Sequence, residues 1–261
     1  MKKTLIDKIP IALPSEIERL CEGAKIFDSS CSPEAKVYLI DKDEGYFLKC
    51  AAGGSLERER LMTDYFHKKG LGAEVLDYQT GECDLLLTSR VVGEDCTSEK
   101  YLSEPKRLCD ILAERLRFLH ELDFSDCPIK DRVGEYLVRA EQNYYSDNYN
   151  KEHFPDSFGY SSGEAALAAL REGGHLLKNE VLLHGDYCMP NIMLDDWCFS
   201  GFIDVDSAGA GDRHIDLFWG VWSLRFNLGT NEFDSRFLDA YGRDKVEVDK
   251  LKIVAAAEVL G

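Results

Sequence analysis

The stretch from Val181 to Asp206, VLLHGDYCMPNIMLDDWCFSGFIDVD, constrains this chain more than any other. It holds three apolar runs of strand length, Val181-Leu182-Leu183, Ile192-Met193-Leu194 and Gly201-Phe202-Ile203, divided by polar punctuation. Asp195-Asp196 reads as the turn between the second and third. Residues able to do chemistry stand at the ends of the runs: His184-Gly185-Asp186 after the first, Asn191 before the second, Asp204 after the third.

Four residues separate Asp186 from Asn191, the spacing of a catalytic loop for phosphoryl transfer. Transfer to a hydroxyl needs a carboxylate near the acceptor proton, which Asp186 supplies. It also needs hard oxygen ligands for Mg²⁺ shared with substrate phosphates, which Asn191 and Asp204 supply. Gly185 lets the backbone turn sharply before Asp186. An HGD triplet alone is as readily a hairpin turn with a solvated aspartate. Asp, Asn and a second Asp at set points around strands form a much more specific pattern.

At 261 residues the chain suits one large domain or two small ones, with room for a sizeable core. A formal net charge of -17 would repel nucleic acid and attract a cationic small molecule, although acidity by itself also serves solubility. Nine cysteines, an odd number without a CxxC pair, argue for free thiols in a reducing compartment. The start, MKKTLIDKIP, lacks the apolar segment of a signal peptide, and no run reaches transmembrane length. A cytoplasmic location is expected, with no membrane partner.

Ser15-Glu16-Ile17-Glu18 has the form of a capping box and predicts a short helix. Strand patterns follow at Ala24–Phe27, Lys36–Ile40 and Tyr46–Cys50, with turns at Asp28–Pro33 and Asp41–Gly45, which makes an antiparallel meander. Ser55 is placed to cap a helix carrying Leu56, Leu61, Met62, Tyr65 and Phe66. Val75–Tyr78 and Asp84–Thr88 read as further strands, and Val91-Val92-Gly93 as a linker. Beyond it Leu108, Ile111, Leu112, Leu116 and Leu119 recur at helical spacing in a segment ending near Leu122. Residues 130–178 predict more helices, interrupted by the polar, aromatic stretch from Asn143 to Asn150; Asp216–Arg225, Phe233–Tyr241 and Leu251–Leu260 predict three others. A small β-rich lobe, a linker and a larger helical lobe make an α+β, two-lobed, protein-kinase-like outline, with lobes at residues 1–91 and 92–261.

Lys49 ends a strand, where a lysine can reach nucleotide phosphates if a carboxylate holds it. Glu59 in the next helix is the candidate, with Glu57 as rival. The Asp28–Pro33 turn, serine-rich and not glycine-rich, lies where a phosphate-covering loop is expected. His184 is suited either to bracing the catalytic loop or to a buried, satisfied role. Asp216 is suited either to accepting hydrogen bonds from that loop's backbone or to capping a helix.

On these residues the chain resembles the aminoglycoside 3'-phosphotransferases, within the antibiotic and small-molecule kinases. The likeness includes Ser32-Pro33 with Ala35-Lys36-Val37-Tyr38, the Lys49 strand, Glu57-Arg58-Glu59, Phe118-Leu119-His120, Ser125-Asp126-Cys127-Pro128, His184-Gly185-Asp186 with Asn191-Ile192, and Gly201-Phe202-Ile203-Asp204. It implies that Asp186 orients or deprotonates the acceptor hydroxyl and that Asn191 and Asp204 bind Mg²⁺. Lys49, held by Glu59, would touch the phosphates of ATP (or GTP), Ser32 would cover them, and backbone near Ser89 and Val91 would bind adenine. An aminoglycoside, a polycationic sugar, would meet Asp147 and Asn148 in the helical insert near 130–178 and Glu258 in the C-terminal tail. The chain departs from the family's pattern on this acceptor side: Ser207 stands where an arginine is usual, Phe226 where an acidic residue is common, and the tail carries one acidic residue where two are common. A related kinase for another antibiotic, sugar or amino alcohol is the rival reading; a catalytically silent nucleotide-binding protein is the second.

Overall fold

The computed structural model describes residues 3–149, 151 and 159–261; Asn150, the end of the polar, aromatic stretch, lies outside the described residues. The chain divides into two compact units, Met1–Cys96 with Pro190–Asp206, and Thr97–Met189 with Ser207–Gly261. The hairpin bearing Asn191 and Asp204 is thus part of the sheet-rich unit, while the His184–Asp186 loop is part of the helical one.

The first unit is built on a six-stranded antiparallel sheet: β1 (Thr4–Ile6), β2 (Lys25–Asp28), β3 (Ala35–Asp41), β4 (Tyr46–Ala52), β5 (Val75–Gln79) and β6 (Cys83–Ser89), in the order β1-β2-β3-β4-β6-β5. The predicted meander is β2-β3-β4. Leu48 and Cys50 of β4 point into a core with Ile26, Tyr38, Ile40, Leu85 and Leu87. The two-residue period of a strand therefore turns Lys49, between them, to the opposite face.

Helix α1 (Ser15–Cys21) forms, but its capping box does not: Pro14 is the N-cap and no side chain caps it. Helix α2 (Glu57–Lys68) begins one residue later than Ser55 would set it, with Leu56 at the N-cap. The Ser55 hydroxyl donates to the Ala52 carbonyl at 2.6 Å. Asp84 on β6 supplies the missing acceptors, with Oδ1 taking the Gly54 N–H and Oδ2 the Leu56 N–H, both at 2.9 Å, and Oδ2 also the Tyr78 hydroxyl at 2.9 Å. A long-range carboxylate thus does what the local serine was expected to do.

Strand β7 (Glu94–Asp95) pairs with β9 (Ile192–Asp195), which forms a hairpin with β10 (Cys198–Phe202). The turn uses Asp196 and Trp197 at φ 45° and 70°, the geometry a two-residue hairpin loop demands. Gly93, at φ 96°, must be glycine, since a Cβ there would lie 2.1 Å from the Leu194 carbonyl oxygen.

The second unit holds α3 (Glu99–Leu102), α4 (Pro105–His120), α5 (Arg132–Tyr145), α6 (Gly163–Gly173), α7 (Arg213–Leu228), α8 (Asp234–Gly242) and α9 (Val248–Val259). Leu108, Leu112, Leu116 and Leu119 are the buried stripe of α4. Strand β8 (Val181–Leu183) does not join the hairpin; it pairs with β11 (Gly209–Gly211), an unpredicted strand. Gly-Ala-Gly has no alternation to read, and its glycines serve close approach: a Cβ on Gly211 would meet Leu183 at 2.3 Å. Strands β1 and β7 were missed because two or three residues are too short to show a period. Among the described residues no helix is long and apolar enough to cross a membrane.

Asp84 is buried, which works to raise its pKa, yet its hydrogen bonds hold the carboxyl down at about 2. Its folded pKa lies below the unfolded value of about 3.9, so its stabilisation is present above that pH and is lost as pH falls toward 2. Asp84→Asn should cost about 1–3 kcal/mol at neutral pH, seen as a fall in Tm of several degrees. Thermal melts of both proteins should converge as pH drops from about 4 to about 2; a gap that stays constant with pH would contradict this role.

Candidate active site

Lys49 is the centre of the first unit's polar cluster. Its ammonium lies 2.7 Å from Glu59 Oε2 and 2.9 Å from Asp204 Oδ1. Glu59, not its rival Glu57, makes the contact: two residues further along α2 it is buried, while Glu57 is exposed. Burial works to lower the Lys49 pKa, but Asp204 and Glu59 more than restore it, so the side chain stays charged.

Asp204 follows β10 at φ 58°, a left-handed conformation unusual for a non-glycine residue and of the kind concentrated at functional sites. Next to it, the Ile203 N–H donates to the Asn191 carbonyl at 3.0 Å, tying Asn191 to the Asp204 turn. The Arg58 Nε donates to the Asp206 carbonyl at 2.6 Å and anchors the chain beyond it to α2. A carboxylate and an amide on two tied segments are hard oxygen donors. They suit Mg²⁺, which keeps most of its octahedral shell for water and phosphate.

Ser32 is exposed in the turn between β2 and β3. That turn is held at its base, where the Val37 N–H donates to Ser30 Oγ at 3.0 Å and the Ser30 N–H to Asp28 Oδ1 at 2.9 Å. Ser89 ends β6 with its N–H given to the Glu74 carbonyl and its hydroxyl oxygen accepting from the Glu74 N–H, both at 2.9 Å. Val91 is buried just beyond.

In the second unit the loop between β8 and the next turn is organised by Asp216 of α7, which is fully buried. Its Oδ2 accepts the His184 N–H and its Oδ1 the Gly185 N–H, both at 2.8 Å. Of the two readings of Asp216 the structure selects loop bracing; Asp212 caps α7 instead. His120 Nε2 lies 3.1 Å from Asp216 Oδ2, and its Nδ1 lies 2.8 Å from the Tyr241 hydroxyl. Burial lowers the His120 pKa, so the neutral ring gives its one N–H to Asp216 and accepts from Tyr241. Gly185, at φ 85°, admits no side chain: a Cβ would lie 2.0 Å from the Ser207 carbonyl oxygen. His184 is buried and its Nδ1 accepts the Asp186 N–H at 3.3 Å, so it is both satisfied and a brace. Tyr187 donates its hydroxyl to the Leu112 carbonyl at 2.7 Å, and the Met189 N–H donates to Ser223 Oγ at 2.9 Å. Asp186 is left half-buried on a fixed loop.

Glu258 stands in the last turn of α9 and not on a loose tail. Its Oε1 accepts from the Tyr136 hydroxyl at 2.6 Å and from Trp219 Nε1 at 3.0 Å. Burial pushes its pKa up to about 7 against those two hydrogen bonds, with the charge of Asp186 adding to the rise. Asp147 and Asn148 are exposed after the end of α5, where they line a cleft with Arg139, Asn143 and the C-terminal Gly261. Asp147 pairs with Lys151 at 2.6 Å, and the Asn148 N–H donates to the Asn143 carbonyl. The structure therefore joins Lys49, Glu59 and Asp204 in one unit and sets Glu258 within electrostatic reach of Asp186 in the other. Tyr136, Trp219 and Tyr241 were not singled out from sequence, because each acts through a partner more than twenty residues away.

Asp216→Asn puts an NH₂ group against a backbone N–H in a buried site. It should cost about 3 kcal/mol, lower the Tm by roughly 10 °C, and speed amide exchange at His184 and Gly185. Unchanged melting and exchange would remove Asp216 as the organiser of the loop.

Comparison with known proteins identifies the family. Residues 25–251 match the phosphotransferase enzyme family. A probable aminoglycoside 3'-phosphotransferase of Lactococcus lactis subsp. lactis is 51% identical over 257 residues, covering 98% of this chain and 96% of that protein. The crystal structure of an aminoglycoside 3'-phosphotransferase of type VIII superposes with a TM-score of 0.78 at 24% identity, covering 92% of this chain and 94% of that one. An aminoglycoside phosphotransferase of Streptomyces rimosus, solved with ADP and streptomycin, gives a TM-score of 0.69 at 25% identity, covering 87% and 91%. The α+β, protein-kinase-like fold expected from the sequence is the fold of these neighbours, and the chain belongs to the phosphotransferase enzyme family.

Proposed function

We propose that the protein is an aminoglycoside 3'-phosphotransferase, moving the terminal phosphoryl group of ATP (or GTP) to a hydroxyl of an aminoglycoside and so conferring resistance. The observation that carries this reading is the Lys49 ammonium held between Glu59 and Asp204, which is a phosphate-binding cation beside a metal-binding carboxylate. Lys49 neutralises nucleotide phosphates and Glu59 keeps it aimed. Asp204 and Asn191 hold Mg²⁺, whose role when bound is to offset charge on the transferred phosphoryl group. Ser32 covers the phosphates. Backbone near Ser89 and Val91 meets adenine; the committed Ser89 N–H leaves Val91 the freer of the two.

Asp186, on the loop fixed by Asp216, accepts the hydrogen bond of the acceptor hydroxyl and orients it for attack. Glu258, partly exposed, receives an ammonium group of the acceptor. A cation there reverses the burial effect that raises its pKa. Asp147 and Asn148 offer a second contact, for which Asp147 would exchange Lys151 for the substrate.

Asp186→Asn should lower kcat by about 10²- to 10⁴-fold while Mg·ATP binding stays near normal. Asp204→Ala should lose Mg²⁺-dependent nucleotide affinity as well as turnover. Calorimetry with Mg·ATP separates the two, and equal loss of affinity in both variants would sink the assignment. The substrate class is tested by wild-type protein with Mg·ATP and a kanamycin and neomycin panel. ATP binding without phosphorylation of any member would favour a related small-molecule kinase.

A further inference from the structure

One face of helix α7 supports the whole loop that carries Asp186. Asp216, Gly220, Ser223 and Asn227 stand at i, i+4, i+7 and i+11, which stacks them on one side of the helix. Asp216 takes the His184 and Gly185 N–H groups. Gly220 is bare where Tyr187 packs, since a Cβ there would lie 3.4 Å from that ring and 2.6 Å from Phe237. Ser223 is buried and takes the Met189 N–H on Oγ at 2.9 Å. Asn227 Nδ2 holds Ser223 in turn, donating to its carbonyl at 2.8 Å and to its Oγ at 3.3 Å. The chain is thus tied both before and after Cys188.

The Cys188 N–H donates to the Asp186 carbonyl at 2.8 Å, a tight turn that draws the two residues together. The Cys188 thiol hydrogen-bonds with both the Asp186 carboxylate and the Ser223 hydroxyl. What each partner can give sets the direction of each bond. The Ser223 oxygen already accepts two N–H groups, so it offers its hydrogen to the sulfur. An ionised carboxylate only accepts, so the S–H points to Asp186. Burial, with the charge of Asp186 adding to it, pushes the thiol well above its ordinary pKa, and the sulfur keeps its hydrogen at neutral pH. Cys188 is therefore a donor and not a nucleophile.

We propose that Cys188 is a positioning residue for phosphoryl transfer: Ser223 holds its sulfur, and its S–H holds the Asp186 carboxylate in one rotamer, aimed before the acceptor hydroxyl arrives. The proposal rests on the phosphotransferase reading and adds to it a side-chain brace, separate from the backbone brace of Asp216. Asp216 fixes where the loop runs. A carboxylate on a fixed loop still turns about two side-chain bonds, and reaction needs alignment at the reacting centre itself. No proton leaves the sulfur at any step.

Cys188→Ala, and Cys188→Val, which fills the space without a donor, should each lower kcat roughly 3- to 10-fold, with the KM for aminoglycoside and for Mg·ATP unchanged. Cys188→Ser, whose hydroxyl also donates, should restore most of the rate; a role in packing alone would be restored by valine instead. Infrared spectra give a readout that does not depend on turnover. The S–H stretch that Cys188→Ala removes should lie below that of a free thiol. It should move up in Asp186→Asn, where a neutral amide replaces the charged acceptor. Full kcat in the alanine and valine variants, or a loss that valine repairs and serine does not, overturns the positioning role and leaves the phosphotransferase reading intact. An S–H band that Asp186→Asn does not move overturns the contact and the proposal with it. A band that moves, in a protein that binds Mg·ATP yet phosphorylates no aminoglycoside, supports the brace and overturns the aminoglycoside reading.

Discussion

A charged carboxylate at zero exposure is stable only if donors surround it, and Asp216 is such a group. The donors it gathers come from far apart in the chain: two loop N–H groups from His184 and Gly185, and the ring of His120 at the end of α4. Tyr241 of α8 then satisfies the other ring nitrogen. One buried charge therefore fixes α4, α7, α8 and the loop before Asp186 in a single arrangement. Breaking it leaves either an unpaired charge or orphaned backbone donors, each costing several times a typical surface contact. The consequence is that Asp186, the carboxylate proposed to act on the acceptor, is half-exposed yet rides on a backbone with little freedom to move, which is what orienting a hydroxyl requires.

The Lys49 cluster solves a different problem. For the phosphate-binding role proposed for it, Lys49 has to stay charged while partly buried, and two carboxylates keep it so. Glu59 is brought to it by α2, whose start is held by Asp84 of β6. Position within the cluster thus depends on a carboxylate that touches no member of it. Asp204 reaches the cluster through a left-handed turn after β10, conformational strain that the flanking hydrogen bonds to Asn191 and from Arg58 hold in place.

The carboxylates proposed to meet the acceptor are less freely charged than the net -17 suggests. Burial pushes the Glu258 pKa up to about 7, and the charge of Asp186 adds to that rise. Asp147 is engaged by Lys151. Trp219, which donates to Glu258, meets Trp222 edge to face, and Trp222 stacks on the exposed Phe226. Overall charge therefore brings a cation toward the protein, while the local surface decides how it is held.

From sequence alone the strand-length runs, the Asp186, Asn191, Asp204 spacing, the meander carrying Lys49 and the amphipathic α4 were legible, because strand and helix periods and short-range spacing are local properties. So were the α+β architecture and the family. The sequence could not choose between two roles for Asp216, nor place Ser15 and Ser55 correctly as caps, because hydrogen-bond partners are chosen by whichever donor or acceptor packs nearby. Strands β1, β7 and β11 carry too few residues to show a period and exist because a neighbouring strand offers a ladder. Glu258 read as a tail residue; only packing of α9 against Tyr136 and Trp219 made it a partly buried group with a raised pKa. Trp219 and Trp222 fall within the helix predicted over Asp216–Arg225 and Phe226 just beyond it; only the tertiary structure decided that Phe226 is exposed while Gly220 and Ser223 are buried against Phe237, Tyr187 and the Met189 N–H.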